Sequence, residues 1–417
     1  MANQLLTRQE ITRDTLEVLE NNLKVLPNFY RDFETEFGKK GGKIGDTLYV
    51  RKPQRFIGRD GQAYNPEGLS DTQVPVVINQ QSGVDFEFST AEKYLSLDAF
   101  RKRYLDKAGK ALANKLDLRC ALVGMQNTSN HVGTPGTVPG LSGSDAFLIY
   151  AKAGQKIDEM GFPLTSDRRM VITPGMRVGW VDFAKAFFNP QGGISEQYKE
   201  GQVSNALGYD WFVDQNIPTQ TIGLLGGTPA VNGAGQTGSS LITNGWSNSI
   251  TGLLNIGDII SIAGVFAVNP QSRLSTGSLQ QFVIQATANS DGSGNSTLTI
   301  YPSIVPSGQY QNVSVSPANG ALINVYDTAA AGQSALSGLS TVQGLCFEHE
   351  AFAFCSFAGD VPDGVDMGMV IDEPGIPVKL RFVRLFDAYR DQFPSRFDVY
   401  YGISPMYNEG ACRVSGS

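Results

Sequence analysis

The stretch "GDIISIAGVFAVNPQSRLSTGSLQQFVI", residues 257–284, decides how the chain is organised. Two runs rich in β-branched and aromatic residues, "DIISIAGVFAV" and "QQFVIQA", flank a polar segment, which reads as strand, loop, strand. The surroundings are nearly without charge: between 223 and 340 only Asp258, Arg273, Asp291 and Asp327 are charged. Further short β-type runs follow at "STLTIYP", "VSVSP" and "LINVY", with turn signals between them. Small-residue stretches border the region, "GLLGGTPAVNGAGQTGSS" before and "TAAAGQSALSGLS" after, and read as linkers. Residues 223–340 are therefore predicted to form an all-β, barrel-like domain inserted into a larger one.

The flanking sequence predicts that larger domain. Residues 146–222 read as mixed α/β, with helices at 146–160 and 176–188, the strand "RRMVITP" between them, and an extended return through "ALGYDWFVDQNIPTQTIG". From 341 to 417 the charged texture resumes in "GLCFEHEAFAF", "PVKLRFVRLFDAY" and "FPSRFDVYYGI", strand-like pieces that complete the interrupted domain. Upstream, residues 91–145 contain a long helix, 95–125, capped by Ser96, with Phe100, Tyr104, Ala108, Leu112 and Leu116 at four-residue spacing. Its Arg101, Lys102, Lys107 and Lys110 fall on other faces and read as solvated.

Residues 41–90 read as a long hairpin: "TLYV" and "VPVVINQQSGVDFEF" are β-rich ends, and the polar middle contains Gly58, Gly61, Pro66 and Gly68. An isolated hairpin is marginal in water, so one this long is expected to be received by something beyond its own domain. Residues 1–40 form an amphipathic arm, with Thr7 and Glu10 at capping-box spacing. The hairpin opens with "IGDTLYV" and the inserted domain with "IGDIISI"; the chains diverge afterwards, so the match reflects a shared Gly-Asp turn rather than a repeat.

Composition limits the function classes. The 417 residues are 41% hydrophobic and 18% charged, a globular balance with a thinly charged surface, part of which is expected to be covered by partners. The net charge of −7 is uneven: residues 1–120 hold 19 basic against 17 acidic side chains, the remainder 14 against 23. Such a chain is not built to hold nucleic acid by neutralising phosphates. No apolar run reaches the ~20 residues of a membrane span, and the amino-terminal segment lacks the apolar stretch of a signal peptide, so a cytoplasmic product is expected. Cys120, Cys346, Cys355 and Cys412 form no disulfide framework.

No arrangement of residues carries enzymatic chemistry. Cys346, His349 and Cys355 lack the paired spacing and fourth ligand of a zinc site. The acidic series Asp360, Asp363, Asp366, Asp372 and Glu373 does not match a calcium loop. "GGTPAVNGAGQTGSS" lacks the Gly-Lys-Ser/Thr ending of a phosphate cradle. A hydrolase using His349 with Glu348 has no identifiable nucleophile. No catalytic residue, cofactor or metal is expected.

Five segments, in order, resemble the major capsid proteins of tailed double-stranded DNA phages of the P22-like type: "GDTLYVRKPQRF", "FSTAEKYLSLDAFRKRYLDKAGKALANKLD", "LGYDWFVDQNIPTQT", "GDIISIAGVFAVNPQSRLSTGSLQQFVI" and "DQFPSRFDVYYGISPMYNEGACRV". The resemblance implies an α+β chain with the HK97-type phage capsid fold: an N-terminal arm, an extended loop, a spine helix, peripheral and axial domains, and the inserted all-β domain. It further implies hexamers and pentamers of the chain in an icosahedral virion, assembled in the host cytoplasm with a scaffolding protein, a portal, and double-stranded DNA enclosed without sequence-specific binding. It leaves a decoration protein open. The extended loop is expected to lie over a neighbouring subunit, with Arg51, Lys52, Arg55 and Phe56 as candidate contacts. A β-rich adhesin or carbohydrate-binding module is the alternative, one that would need an export route.

Overall fold

The computed structural model describes residues 22–31, 47–52, 55–56, 61–62, 72–89, 106–141, 145–162, 167–184, 205–357, 359–371 and 378–416. In chain order these form β1 (Thr47–Arg51), β2 (Gln73–Val77), β3 (Gln80–Ser89), α1 (Asp106–Asn127), β4 (Asn130–Val132), α2 (Ala146–Glu159), β5 (Arg168–Ile172), α3 (Pro174–Ala184), β6 (Asn205–Ala206), β7 (Tyr209–Val213) and β8 (Thr219–Thr221). The chain continues through β9 (Gly227–Val231), β10 (Gly238–Trp246), β11 (Ile259–Val268), β12 (Ser275–Ile284), β13 (Ser296–Ile304) and β14 (Ile323–Val325). It ends with β15 (Ser340–Glu348), β16 (Phe352–Phe357), β17 (Met367–Ile371), β18 (Leu380–Arg384), β19 (Gln392–Pro405) and β20 (Ala411–Ser415). The architecture is mixed α+β, divided into two compact units.

The first unit comprises Met1–Val50, Gln73–Cys120 and Phe352–Ser404. Its main sheet runs β16-β19-β18-β17, with β3 also paired to β19. The β3 pairing is continuous from Ser89↔Gln392 to Gln80↔Tyr401. The expected hairpin is thus shorter than its sequence suggested: β2 pairs with β1, while "QQSGVDFEFS" leaves for a strand more than 300 residues away. Alternation explains the choice, because Phe86 and Phe88 fall on one face and stack on Phe397 and Phe393 at centroid distances of 5.7 and 5.4 Å. Gly83 permits the approach, since a Cβ there would lie 2.5 Å from the Phe397 carbonyl oxygen.

In α1 the expected stripe is buried at Ala108, Leu112 and Leu116, with Lys107 and Lys110 exposed; Ser96 and the stretch before Asp106 lie outside the described residues. Asp117, the last residue of the "ALANKLD" motif, accepts hydrogen bonds from three successive backbone N–H groups, of Lys24 (2.6 Å), Val25 (3.2 Å) and Leu26 (2.9 Å). The Val25 and Leu26 N–H groups are donors that the 3₁₀ turn Leu26–Asn28 leaves unsatisfied at its start, and the Lys24 N–H comes from the residue before its cap. Phe29 then stacks on Phe352, and Tyr30 makes two backbone hydrogen bonds to residues of β16. The described end of the arm is therefore a buried anchor; residues 1–21 and 32–46 fall outside the described residues.

The second unit comprises Arg51–Thr72, Ala121–Ala351 and Pro405–Ser417. Its mixed sheet is ordered β4-β20-β15-β5-β7-β6, with β8 extending from β15. Helix α2, capped where the Asp145 carboxylate accepts the Leu148 N–H, packs Tyr150, Ala153 and Ile157 onto it. Tyr150, Trp180 and Trp211 meet there at 4.9–5.6 Å. The helix expected over 176–188 is α3, starting two residues earlier; residues 185–204 are outside the described set.

Within the same unit, β14-β11-β12-β13-β10-β9 form an antiparallel sheet. It closes on itself where the Val231 N–H donates to the Ala321 carbonyl (2.9 Å) and the Gly320 N–H to the Val231 carbonyl (2.8 Å). Leu241, Trp246, Ile260, Ile262, Phe282, Leu298 and Ile300 are among the residues filling the resulting barrel. Three expectations need correction. The first presumed linker contributes β9 and the start of β10; its turn is closed by Gln236, whose side chain donates to the Asn232, Gly233 and Ile242 carbonyls. The second folds as the 3₁₀ helix Ala330–Leu336, pinned by buried Gln333 donating to the Ile323 carbonyl at 2.8 Å. "VSVSP" makes only an isolated bridge, Val313↔Ala267, so its alternation reflects a wall segment of the barrel rather than a strand.

Candidate assembly site

The four candidate contact residues sit at the end of β1 and the start of the loop that joins it to β2, and the structure divides them. Lys52 is half-buried: its backbone N–H donates to the Thr72 carbonyl (2.9 Å), and its ammonium lies 5.6 Å from the centre of the Tyr407 ring. Arg55 Nη2 meets Glu409 Oε2 at 3.2 Å, so the acidic group it finds belongs to its own chain. Arg51 is exposed, and Phe56 is 61% exposed. Two of the four thus hold the loop's base and two face outward. Residues 53–54, 57–60 and 63–71, most of the loop's polar middle, lie outside the described residues.

Both internal anchors land on one short turn, Tyr407 followed by the 3₁₀ segment Asn408–Gly410. The same turn receives three other parts of the unit. Asn408 Nδ2 donates to the Asn127 carbonyl at the end of α1 (2.7 Å), and Asn408 Oδ1 accepts from the Tyr301 hydroxyl of β13 (2.6 Å). Asn130 Nδ2 donates to the Glu409 and Ala411 carbonyls, each at 3.0 Å. Sequence reading missed this hub; "MYNEG" carries no pattern beyond that of a turn, and its partners are remote along the chain.

The barrel is tied to the mixed sheet through buried polar groups. His131 lies on β4, an edge of that sheet, and Gln281 of β12 pairs with its backbone as another strand would: the His131 N–H donates to Gln281 Oε1 (2.8 Å) and Gln281 Nε2 donates to the His131 carbonyl (3.0 Å). Asp327 Oδ2 accepts from the same amide at 2.5 Å. The His131 ring stands edge-on to Tyr326 and contacts Ser415 Oγ; burial first, then the charges of Arg413 and Lys156, lower its pKa well below the ordinary value. A second tie centres on Asp258, which accepts from the Gly223 N–H (3.0 Å), the Asn255 N–H (2.8 Å) and Gln220 Nε2 (2.9 Å). Burial pushes its pKa up to about 6, against the lowering influence of those three donors and of Arg413. Gly257 precedes it with φ +92°, a conformation that favours glycine.

The "IGD" of the barrel is therefore a turn and also a joint. Of the four charges of the region two serve the joint, Asp258 and Asp327, and two hold turns of the barrel: Arg273 donates to the Gln309 carbonyl (3.3 Å), and Asp291 caps the turn to Asn295. The other "IGD", residues 44–46, lies outside the described residues.

The remaining motifs have structural occupations. Glu348 Oε1 is held by Arg168 Nε at 2.7 Å, and the same guanidinium, 1% exposed, reaches Asp158 Oδ1 at 2.6 Å. Cys120, Cys346, Cys355 and Cys412 are all buried and take part in no disulfide. Among the described residues no group of three His, Cys, Asp or Glu side chains is placed to hold a metal ion.

No curated relative matches the sequence. Among solved structures, the chain is similar to one of Mycobacterium phage Che8, with 13% identity and a TM-score of 0.49 over 99% of this chain and 94% of that chain. It is also similar to one from the capsid structure of the Cyanophage P-SCSP1u, with 10% identity and a TM-score of 0.45 over 90% of this chain and 84% of that chain. The CUS-3 coat protein I-domain matches 24% of this chain over 94% of its own length, at 25% identity and a TM-score of 0.18. The model of the family described as P22 coat protein, gene protein 5, matches residues 50–336, more than half of the sequence and all of the barrel, and the chain belongs to that family of phage coat proteins.

Proposed function

We propose that this coat protein builds the icosahedral head of a tailed phage as hexamers and pentamers of itself, enclosing double-stranded DNA. The observation that carries the reading is the coat-protein family match across residues 50–336. Assembly proceeds in the host cytoplasm through a procapsid formed with a scaffolding protein, followed by expansion as DNA enters through a portal. Many modest contacts per subunit suit such a shell, because simultaneous engagement multiplies weak affinities while each contact stays reversible. The extended loop supplies one contact: Lys52 and Arg55 hold its base, and Arg51 and Phe56 meet the neighbouring subunit. A net charge of −7 agrees with a wall that encloses DNA without binding its phosphates tightly. Family membership leaves the adhesin alternative without an observation in its favour. Sedimentation of the purified chain, alone and with its scaffolding protein, tests the reading: a large, narrow boundary on mixing supports it, and a chain that stays monomeric under both conditions sinks it.

A further inference from the structure

The tip between β18 and β19 is ordered yet presents large side chains to solvent. Asp387 and Gln392 exchange backbone hydrogen bonds (2.9 and 3.3 Å), and Asp387 Oδ1 accepts the Tyr389 N–H at 2.9 Å. On this fixed turn Phe386 is half-exposed and Tyr389 is 102% exposed, the most exposed of the large hydrophobic side chains described. Arg390 beside it is exposed as well. An exposed aromatic next to an arginine is the composition of an interface anchor, and the hydrogen-bonded turn leaves little backbone freedom to be lost when it binds.

The outer face of the same sheet carries a groove of about 560 Å³. Val383, Leu385 and Pro394 give it an apolar floor, and Asp85, Glu87 and Arg396 stand around it. Arg396 is engaged by Asp85 (2.8 Å), which leaves Glu87, exposed on the neighbouring rim, as the acid with no such partner among the described contacts. The tip therefore has an aromatic group and a cation where the groove has an apolar floor and an anion.

We propose that the hairpin tip of one copy docks in this groove of a second copy, with Tyr389 on the apolar floor and Arg390 against Glu87. Both halves of the contact lie on one sheet, so every copy that gives a tip also offers a groove, and such head-to-tail contacts form a ring where the rotation between copies closes. This rests on the coat-protein reading and adds to it a contact remote in sequence from the extended loop.

The test uses the full chain with its scaffolding protein. Arg390→Glu and Glu87→Arg are each expected to lower shell yield about tenfold or more, while the doubly exchanged variant recovers it. Thermal unfolding of each monomer serves as the folding control. Because the four native cysteines are buried, Arg390→Cys combined with Glu87→Cys supplies a lone exposed thiol pair. A bis-maleimide that spans the length of the two replaced side chains should give covalently linked oligomers from shells and none from monomers. Single variants that assemble as well as the parent, a folded double variant that stays defective, or shells that give no linked oligomer would each overturn the contact while leaving the coat-protein reading intact. A parent chain that forms no shell at all would overturn both.

Discussion

Gln281 completes a sheet to which it does not belong: its side-chain amide takes the N–H and the C=O of His131 at 2.8 and 3.0 Å, filling an edge position next to β4. A buried edge with no strand beside it would leave both groups unpaired, at about 1–3 kcal/mol each. Gln281→Leu is accordingly expected to lower the unfolding free energy by roughly 2–4 kcal/mol, and Gln281→Glu, which sets a buried carboxylate against Asp327 and the His131 carbonyl, by at least as much. Urea unfolding of the monomer measures both; equal and small losses would remove the joint from the account.

The second tie predicts a pH dependence. The folded chain holds the Asp258 carboxyl at about 6, above the unfolded value, so it binds the proton more tightly than the unfolded chain does. The stability gained on protonation appears as pH falls through 6 and is complete near the unfolded value; as pH rises through 6 it is lost. Relative to Asp258→Asn, the parent should gain about 1 kcal/mol between pH 7 and pH 5. A difference that does not change with pH would mean that burial does not govern this carboxylate.

Asp117 gathers three N–H groups from the segment before Pro27. Asp117→Ala should cost about 2–4 kcal/mol and free that segment for proteolysis. Limited digestion that cuts no faster between residues 22 and 31 would contradict this.

The loop base separates stability from assembly. The Arg55–Glu409 pair is partly exposed, so Arg55→Ala should change monomer stability by only about 0–1 kcal/mol. Arg51→Ala with Phe56→Ala should leave the monomer's unfolding midpoint in place and reduce shell yield. A large loss of monomer stability from the latter pair would reassign both residues to the interior.

What could be read in the sequence was whatever depends on near neighbours. The four-residue spacing of Ala108, Leu112 and Leu116 and the β-type runs "DIISIAGVFAV" and "QQFVIQA" are local; α1 and β11 appear on them, while β12 starts earlier, at Ser275, within the stretch read as polar loop. The linker reading of 223–240 failed because glycine content reports conformational freedom and not whether a tertiary partner removes it; Gln236 and the Ala321 carbonyl do so here. The β3–β19 pairing and the Tyr407–Gly410 hub join residues hundreds of positions apart, which no periodicity records. At the loop base the residue types were informative, yet whether a basic side chain meets its own chain or another depended on where Glu409 lies.

The central claim is that this chain forms a shell of itself. Electron cryomicroscopy of the particles formed when it is produced with the proposed scaffolding protein tests it most directly. Closed polyhedral shells of uniform size are expected, with density for the loop of residues 41–90 lying over a neighbouring subunit. Monodisperse single chains, or open and irregular aggregates in place of closed shells, would contradict it.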